Sequence, residues 1–124
     1  MDQKDILVIG SLNTDMVIRT EHIPVSGETI LGEDFFINTG GEGANQAVAA
    51  SRLGGRVSFI GKVGKDVFGE RCIKALRGEG IDTGSVGIAP ETPSGVAMIT
   101  VDEKGENSIV VAPGSNYKLD ITAF

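Results

Sequence analysis

Two short polar segments carry the side chains that could bind a ligand. The first is SLNTD at 11–15, which follows a run of Ile, Leu and Val that ends at Gly10. Asn13 offers hydrogen-bond donors and an acceptor, and the carboxylate of Asp15 offers two acceptor oxygens. Together they suit neighbouring hydroxyls of a polar, uncharged ligand such as a sugar. A turn in which both side chains bond the local backbone is the alternative that these residues leave open.

The second segment is TGGEGANQ at 39–46, which leads into an alanine-rich helix. Its glycines let a ligand approach the backbone closely, and the first turn of a helix has free N–H donors. The segment does not match the dinucleotide-binding pattern, because Gln46 stands where a third glycine is required. GKVGKD at 61–66 does not match a P-loop either, since no Ser or Thr follows a lysine. A plain turn before the helix remains as compatible with 39–46 as a binding loop.

The elements that position these segments predict an α/β fold. Buried strands at 6–9 and 57–64 alternate with helices at 44–53 and 67–78, which indicates right-handed βαβ crossovers and a parallel sheet. Both polar segments then fall at one pole of that sheet, where ligands bind in open α/β folds. A further helix, capped by Asp120, is predicted to begin within 114–124. Four more polar strands are predicted to form a small sheet, at 15–20, 30–39, 96–101 and 107–111.

Composition and charge exclude several classes of function. The net charge is −6 without any run of Lys or Arg, which argues against a nucleic-acid partner. Cys72 and His22 are each the only residue of their type, so an internal disulfide and a Cys/His zinc cage are excluded, and we expect no metal site. No apolar stretch approaches the ~20 residues of a membrane span. With no signal-peptide pattern at the N-terminus, we expect no membrane partner and a cytoplasmic location.

Several motifs together resemble the N-terminal part of ribokinases, within the PfkB carbohydrate-kinase family. The similarity runs from about residue 6 to the end of the chain. The resemblance implies a ribokinase-like, Rossmann-type α/β/α core, incomplete in this chain, with a small β-sheet lid. It also implies ATP-dependent phosphorylation of D-ribose to ribose 5-phosphate by the intact enzyme. The motifs are IGSLNTD (9–15), PVSGET (24–29), GGEGANQAVAASRLG (40–54), FIGKVGKDVFGE (59–70), GID (80–82) and TPSGVAMITVDEKGENSI (92–109).

The resemblance also implies which residues hold the substrate. The end of the first strand and the double-glycine loop contact the sugar in this family, and the lid closes over it and often forms a homodimer interface. We therefore expect D-ribose or a related sugar as the ligand and a second copy of the chain as a partner. The implied substrate-binding residues are Asn13, Thr14, Asp15, Gly41, Glu42, Gly43, Ala44 and Asn45.

Two departures from the family pattern limit what the resemblance implies. Ribokinases usually carry Lys where this chain has Glu42, which reverses a charge beside the sugar and leaves another sugar or a nucleoside open as substrate. The glycine-rich anion-hole loop that ends in the catalytic Asp has no counterpart here, and neither has the nucleotide-binding region.

We therefore expect no catalytic residue in the 124 residues and no turnover by them alone. ATP, Mg²⁺ and a monovalent cation such as K⁺ belong, by resemblance, to the rest of a full-length enzyme. A non-catalytic module that dimerises or binds a sugar is the alternative of another class.

Overall fold

Two β-sheets, two α-helices and two 3₁₀ turns make up the regular structure of residues 2–123. The computed structural model describes residues 2–123. The elements in chain order are β1 (Asp5–Ile9), β2 (Asn13–Arg19), β3 (Phe35–Gly40), α1 (Glu42–Arg52), β4 (Arg56–Gly64), α2 (Val67–Gly78), β5 (Asp82–Ala89), β6 (Gly95–Val101) and β7 (Asn107–Ala112), followed by two 3₁₀ turns at Gly114–Lys118 and Ile121–Ala123.

The core sheet has the order β1-β4-β5, and its strands are parallel, which confirms the predicted α/β arrangement. Alternate residues of β4 point toward the two helices, because side chains in a strand alternate between faces. Val57, Phe59 and Val63 are accordingly buried, and they pack with Leu76 of α2 in one cluster. Burial of such side chains contributes about 1.5–3 kcal/mol each, which holds both helices on this face of the sheet.

The opposite face of the core sheet is largely open. Leu7 and Ile9 of β1 alternate with the buried Val8 and are 57% and 52% exposed. The 3₁₀ turn at Gly114–Lys118 lies against the end of this sheet, where the hydroxyl of Ser115 donates to the carbonyl of Lys62 (3.2 Å). The turn therefore attaches the last part of the chain to β4.

The other four strands form a small sheet in the order β3-β2-β6-β7. β2 and β6 are parallel, whereas the two outer pairs are antiparallel. A tight turn joins β6 to β7, in which Gly105 has a φ of +78° and the carboxylate of Asp102 accepts from the N–H groups of Lys104 and Glu106. The polar strands predicted from the sequence thus belong to one sheet.

One of those strands is shorter than predicted. The prediction covered 30–39, but the strand is Phe35–Gly40 and residues 30–34 have no regular structure. Gly32 packs so tightly on the side chain of Ile18 that a Cβ at this position would lie 2.7 Å from it. The chain bends at Glu33, whose N–H donates to the carbonyl of Arg19, and regular pairing begins only after the bend.

Two further elements differ from the prediction. β5 (Asp82–Ala89) was not predicted, because its sequence DTGSVGIA combines glycines and small polar residues that weaken a strand pattern. The helix expected within 114–124 is replaced by the two 3₁₀ turns, and the carboxylate of Asp120 accepts from the N–H of Thr122. Phe124 lies outside the described residues.

Helix α2 spans the predicted residues, and Asp66 is its N-cap as predicted. The carboxylate of Asp66 accepts from the N–H of Gly69 (2.8 Å), and it also accepts from the hydroxyl (2.7 Å) and the N–H (2.9 Å) of Ser94. The hydroxyl of Ser94 in turn accepts from the N–H of Gly64 (2.8 Å). Asp66 therefore ties the start of α2 to the residues that lead into β6.

These hydrogen bonds set the ionisation of Asp66. Burial alone would raise the pKa of this carboxyl, but the bonds from Ser94, Gly69 and Phe68 outweigh it and lower the pKa below the ordinary value. A group with a lowered folded-state pKa stabilises the fold above its unfolded pKa and loses that contribution as the pH falls. The ionised form of Asp66 is thus the one that the fold uses.

Replacement of Asp66 by Ala should lower the free energy of unfolding at pH 7 by about 3 kcal/mol, the sum of a cap and two further bonds at ~1 kcal/mol each. Asp66→Asn, which keeps an acceptor for Gly69, should lose less. Urea unfolding from pH 7 to pH 3 measures both. The advantage of the wild type over Asp66→Asn should begin to shrink as the pH falls through the ordinary pKa of an unfolded aspartate, about 3.9, and should be lost as the pH falls through the lowered pKa of the folded state. A constant difference down to pH 3 contradicts the assignment.

Candidate functional site

Asn13 and Asp15 lie on the same face of β2, since they are two residues apart in one strand. In the sheet register, Asn13 lies between Gly40 of β3 and Gly95 of β6. Asp15 lies between Asn38 and Ala97 in the next row. Glycines on both sides of Asn13 leave space beside its side chain, and the amide of Asn116 occupies part of that space, 2.9 Å from the Oδ1 of Asn13. We refer to this end of the small sheet, around Asn13 and Asp15, as the recess.

Gly40 makes room for the side chain of Asp15. A Cβ at Gly40 would overlap with the carboxylate of Asp15, so the carboxylate lies directly over the glycine backbone. Burial raises the pKa of this carboxyl above its ordinary value. A partly desolvated acceptor of this kind gains from hydroxyl donors that replace the lost water.

The glycine loop brings the start of α1 onto the loop between β1 and β2. Gly41 has a φ of +99°, a left-handed conformation that favours glycine. A Cβ at Gly43 would lie 2.8 Å from the Cα of Gly10 and from the N of Ser11, so the two backbones touch. The N–H of Ala44 donates to the carbonyl of Ser11 (3.2 Å). The two polar segments of the sequence are therefore in direct contact.

The remaining residues of the two segments differ in their surroundings. Ala44 is buried in the core cluster, whereas the side chains of Glu42 and Asn45 are exposed in the first turn of α1. Thr14 does not join Asn13 and Asp15, because it points to the other face of β2. Its hydroxyl is buried 3.9 Å from the thiol of Cys72, and so it packs against α2 rather than lining the recess.

Cys72 has no chemical role in this arrangement. It is buried against Thr14 and the carbonyl of Asn13, as expected for a small apolar residue. Burial raises the pKa of its thiol, which disfavours the reactive thiolate. The thiol therefore supports the base of β2.

Asn116 is a site residue that sequence reasoning missed. Its Nδ2 donates to the Oδ1 of Asn13 (2.9 Å) and to the carbonyls of Leu12 and Pro113, and its Oδ1 accepts from the N–H of Leu12 (2.9 Å). The segment PGSN at 113–116 marks a turn, but no local signal connects it with a residue about one hundred positions earlier. Only the fold brings Asn116 and Asn13 together.

Residues 2–123 contain neither a cluster of metal ligands nor a helix that could span a membrane. In that part of the chain, no three His, Cys, Asp or Glu side chains come together in a way that could hold a metal ion. Its helices are also too short or too polar to cross a membrane.

The structure combines a parallel βαβ core with a small second sheet, and the glycine loop connects that sheet to α1. A family model described as "pfkB family carbohydrate kinase" matches residues 3–124, and the chain belongs to this family. The relatives it matches include the ribokinase of Schizosaccharomyces pombe, 45% identical over 97% of this chain and 39% of that protein. The deoxyribokinase of Salmonella typhi is also 45% identical, over 90% of this chain and 37% of that protein.

Solved structures give the same result for the fold. Ribokinase from Cryptococcus neoformans var. grubii in complex with ADP matches with a TM-score of 0.86 and 38% identity, covering 96% of this chain and 37% of that one. Arabidopsis thaliana ribokinase complexed with ribose and ATP matches with a TM-score of 0.81 and 33% identity, covering 94% and 38%. The chain thus spans less than two fifths of the length of these relatives.

Replacement of Gly43 by Ala tests the backbone contact between α1 and the β1–β2 loop. The added Cβ should push the two segments apart and lower the free energy of unfolding by about 1–3 kcal/mol, although Ala is the better helix former. Gly78→Ala in α2 is the matched control, because its Cβ would meet nothing within 4 Å. Chemical denaturation should show this variant as stable as the wild type or more so. Equal stability of both variants would contradict the tight contact at Gly43.

Proposed function

We propose that this chain is the sugar-binding N-terminal part of a ribokinase-type enzyme. The complete protein transfers the γ-phosphoryl group of ATP to D-ribose and forms ribose 5-phosphate. The observation that carries the proposal is the recess in which Asn13 and Asp15 face the same side of β2, against the glycine loop. The ribokinase relatives and the family membership support it.

The recess suits a polyhydroxylated ligand for a chemical reason. Asp15 has only acceptor oxygens, whereas the amide of Asn13 also carries donors, so one sugar hydroxyl can donate to Asp15 and its neighbour can accept from Asn13. Beyond Asp15 in the same row of the sheet lie Ala97 and then Val111. These small apolar side chains suit the C–H face of a sugar ring. The substrate-binding set that we propose is therefore centred on Asn13, Asp15 and the glycine loop 41–45.

The phosphoryl transfer itself is assigned to other parts of the complete enzyme. Such transfer depends on positioned metal ions and an oriented nucleophile. By family resemblance, we assign the sites for Mg²⁺, for a monovalent cation such as K⁺ and for ATP to the rest of the complete enzyme. On this proposal the 124 residues bind sugar without turning it over, and the enzyme works in the cytoplasm.

Glu42 bears on which sugar is bound. Its carboxylate is exposed in the first turn of α1, where the helix dipole favours a negative charge, and it adds a second acceptor next to the recess. The deoxyribokinase relative is as similar to this chain as the ribokinase is, so 2-deoxy-D-ribose is the second candidate substrate. A panel of D-ribose, 2-deoxy-D-ribose and a nucleoside separates these possibilities.

Calorimetric titration of D-ribose into the folded chain should show saturable binding, and Asp15→Asn should weaken it by about 1–3 kcal/mol, or roughly 5- to 150-fold. Because burial raises the pKa of Asp15, ionisation of this group opposes folding above that pKa. Asp15→Asn should therefore unfold no more easily than the wild type at pH 7. Binding should weaken as the pH falls through the raised pKa and the carboxylate is lost.

The outcomes of this titration are distinct. If Asp15→Asn lowers the free energy of unfolding as much as it weakens ribose binding, Asp15 is a structural turn residue. A folded wild type that binds neither sugar would overturn the proposed function of the chain. Asp34→Asn is the matched control, since this carboxylate is exposed before β3 and should affect neither property.

We also propose that the chain forms a homodimer through the small sheet. On the face opposite to Asn13 and Asp15, one apolar residue from each strand stands in a single row across the sheet: Ile37, Met16, Met98 and Val110. Met98 is 55% and Val110 68% exposed, and Phe35 beside the row is 62% exposed. A contiguous apolar face of this kind is typical of an interface, and the second copy can cover it while leaving the recess free.

The double variant Met98→Lys/Val110→Lys tests the dimer. Sedimentation equilibrium at micromolar concentration should show the wild type associating and the double variant monomeric, because the lysines would have to be buried against a second copy. Leu53→Lys is the control, since Leu53 is 89% exposed at the end of α1, away from the sheet. A monomeric wild type, or a double variant that still dimerises, would contradict the proposal.

A further inference from the structure

The side chain of Asn116 has an orientation that its surroundings fix. Its Nδ2 faces three oxygens: the carbonyls of Leu12 (3.1 Å) and Pro113 (2.9 Å) and the Oδ1 of Asn13 (2.9 Å). On the other side, its Oδ1 faces the N–H of Leu12 (2.9 Å). If the amide of Asn116 were reversed, its oxygen would face two carbonyl oxygens and its nitrogen an N–H group. One orientation is therefore strongly favoured.

The orientation of Asn116 determines that of Asn13. The Nδ2 of Asn116 is a donor, so the atom of Asn13 that faces it must be the acceptor Oδ1. Among the residues that the structure describes, the Nδ2 of Asn13 donates to none. Asn13 is half-buried and borders the recess through its place beside Gly40. Its two N–H donors are thus left for a ligand.

Gly95 supports the same pair of amides. A Cβ at Gly95 would overlap with both the Nδ2 of Asn116 and the Oδ1 of Asn13. Gly95 is also the register partner of Asn13 in β6. The contact between the two amides therefore requires a residue without a side chain at position 95. This steric requirement supports the contact independently of the hydrogen bonds.

We propose that Asn116 is a positioning residue that holds the amide of Asn13 with Oδ1 turned inward and Nδ2 turned toward the recess. The site then offers donors at Asn13 and acceptors at Asp15. Because the amide of Asn13 is held in one orientation, it cannot present its oxygen to the ligand instead. The nature of the ligand rests on the proposed function, whereas the orientation of the amide does not. A ligand must accept at Asn13 and donate at Asp15, as adjacent hydroxyls do.

Side-chain amide NMR of the ¹⁵N-labelled wild-type chain tests the orientation, and variants serve only to assign the signals. The two amide signals are assigned from their loss in Asn13→Ser and Asn116→Ser. The NH₂ protons of Asn116 should exchange slowly with water, those of Asn13 should exchange quickly, and D-ribose should shift the Asn13 signal. Slow exchange at Asn13 with fast exchange at Asn116 would overturn the proposal.

Affinity measurements test whether Asn116 acts through Asn13. Asn116→Ser should weaken D-ribose binding by tenfold or more in the wild type and should have little further effect in an Asn13→Ser background. The same factor in both backgrounds would show a merely structural role and overturn the proposal. Gly95→Ala should imitate Asn116→Ser, since its Cβ separates the two amides. Absence of ribose binding by the wild type would instead count against the proposed function, and the exchange rates would still decide the orientation of Asn13.

Discussion

Contact between two backbones, at Gly10 and Gly43, is the constraint on which the recess depends. A helix and a loop normally keep their distance because side chains stand between them, and here neither residue has one. The first turn of α1 therefore sits directly on the loop that leads from the core sheet into β2. The left-handed Gly41 connects this turn to Gly40, over which the carboxylate of Asp15 lies. Small residues thus set the geometry in which the polar residues work.

Asp15 and Asp66 show how one residue type serves opposite purposes in this fold. Asp66 has a full set of hydrogen bonds from Ser94 and the start of α2, which lower its pKa and make its charge part of the stable structure. Asp15 has burial without comparable partners, so its pKa is raised and its charge is unfavourable. A carboxylate that the protein leaves unsatisfied is available to a ligand. The contrast separates an aspartate that stabilises the fold from one that we propose binds the sugar.

The sequence predicted what depends on local pattern and missed what depends on distant contacts. The helix α2 and its cap at Asp66 follow from periodicity and capping chemistry, and the common pole of the two polar segments follows from strand and helix order. The face of β2 on which Thr14 lies was not predicted, because the strand begins at Asn13, two residues before its predicted start. β5 was not predicted, because the glycines in its sequence weaken a strand pattern. Asn116 could not be found at all, because nothing in a turn sequence reveals a partner at the other end of the chain.

The pairing of β2 with β6 has a consequence for the order in which the chain folds. These strands are neighbours in the small sheet but come from opposite ends of the sequence, whereas β4, α2 and β5 follow one another. Contacts between distant residues form more slowly than local ones, because a long loop must close first. The βαβ unit around Phe59 is therefore expected to nucleate folding, with the small sheet assembling on it. The recess that contains Asn13 and Asp15 would then be among the last parts of the molecule to take shape, after β4, α2 and β5 have already formed.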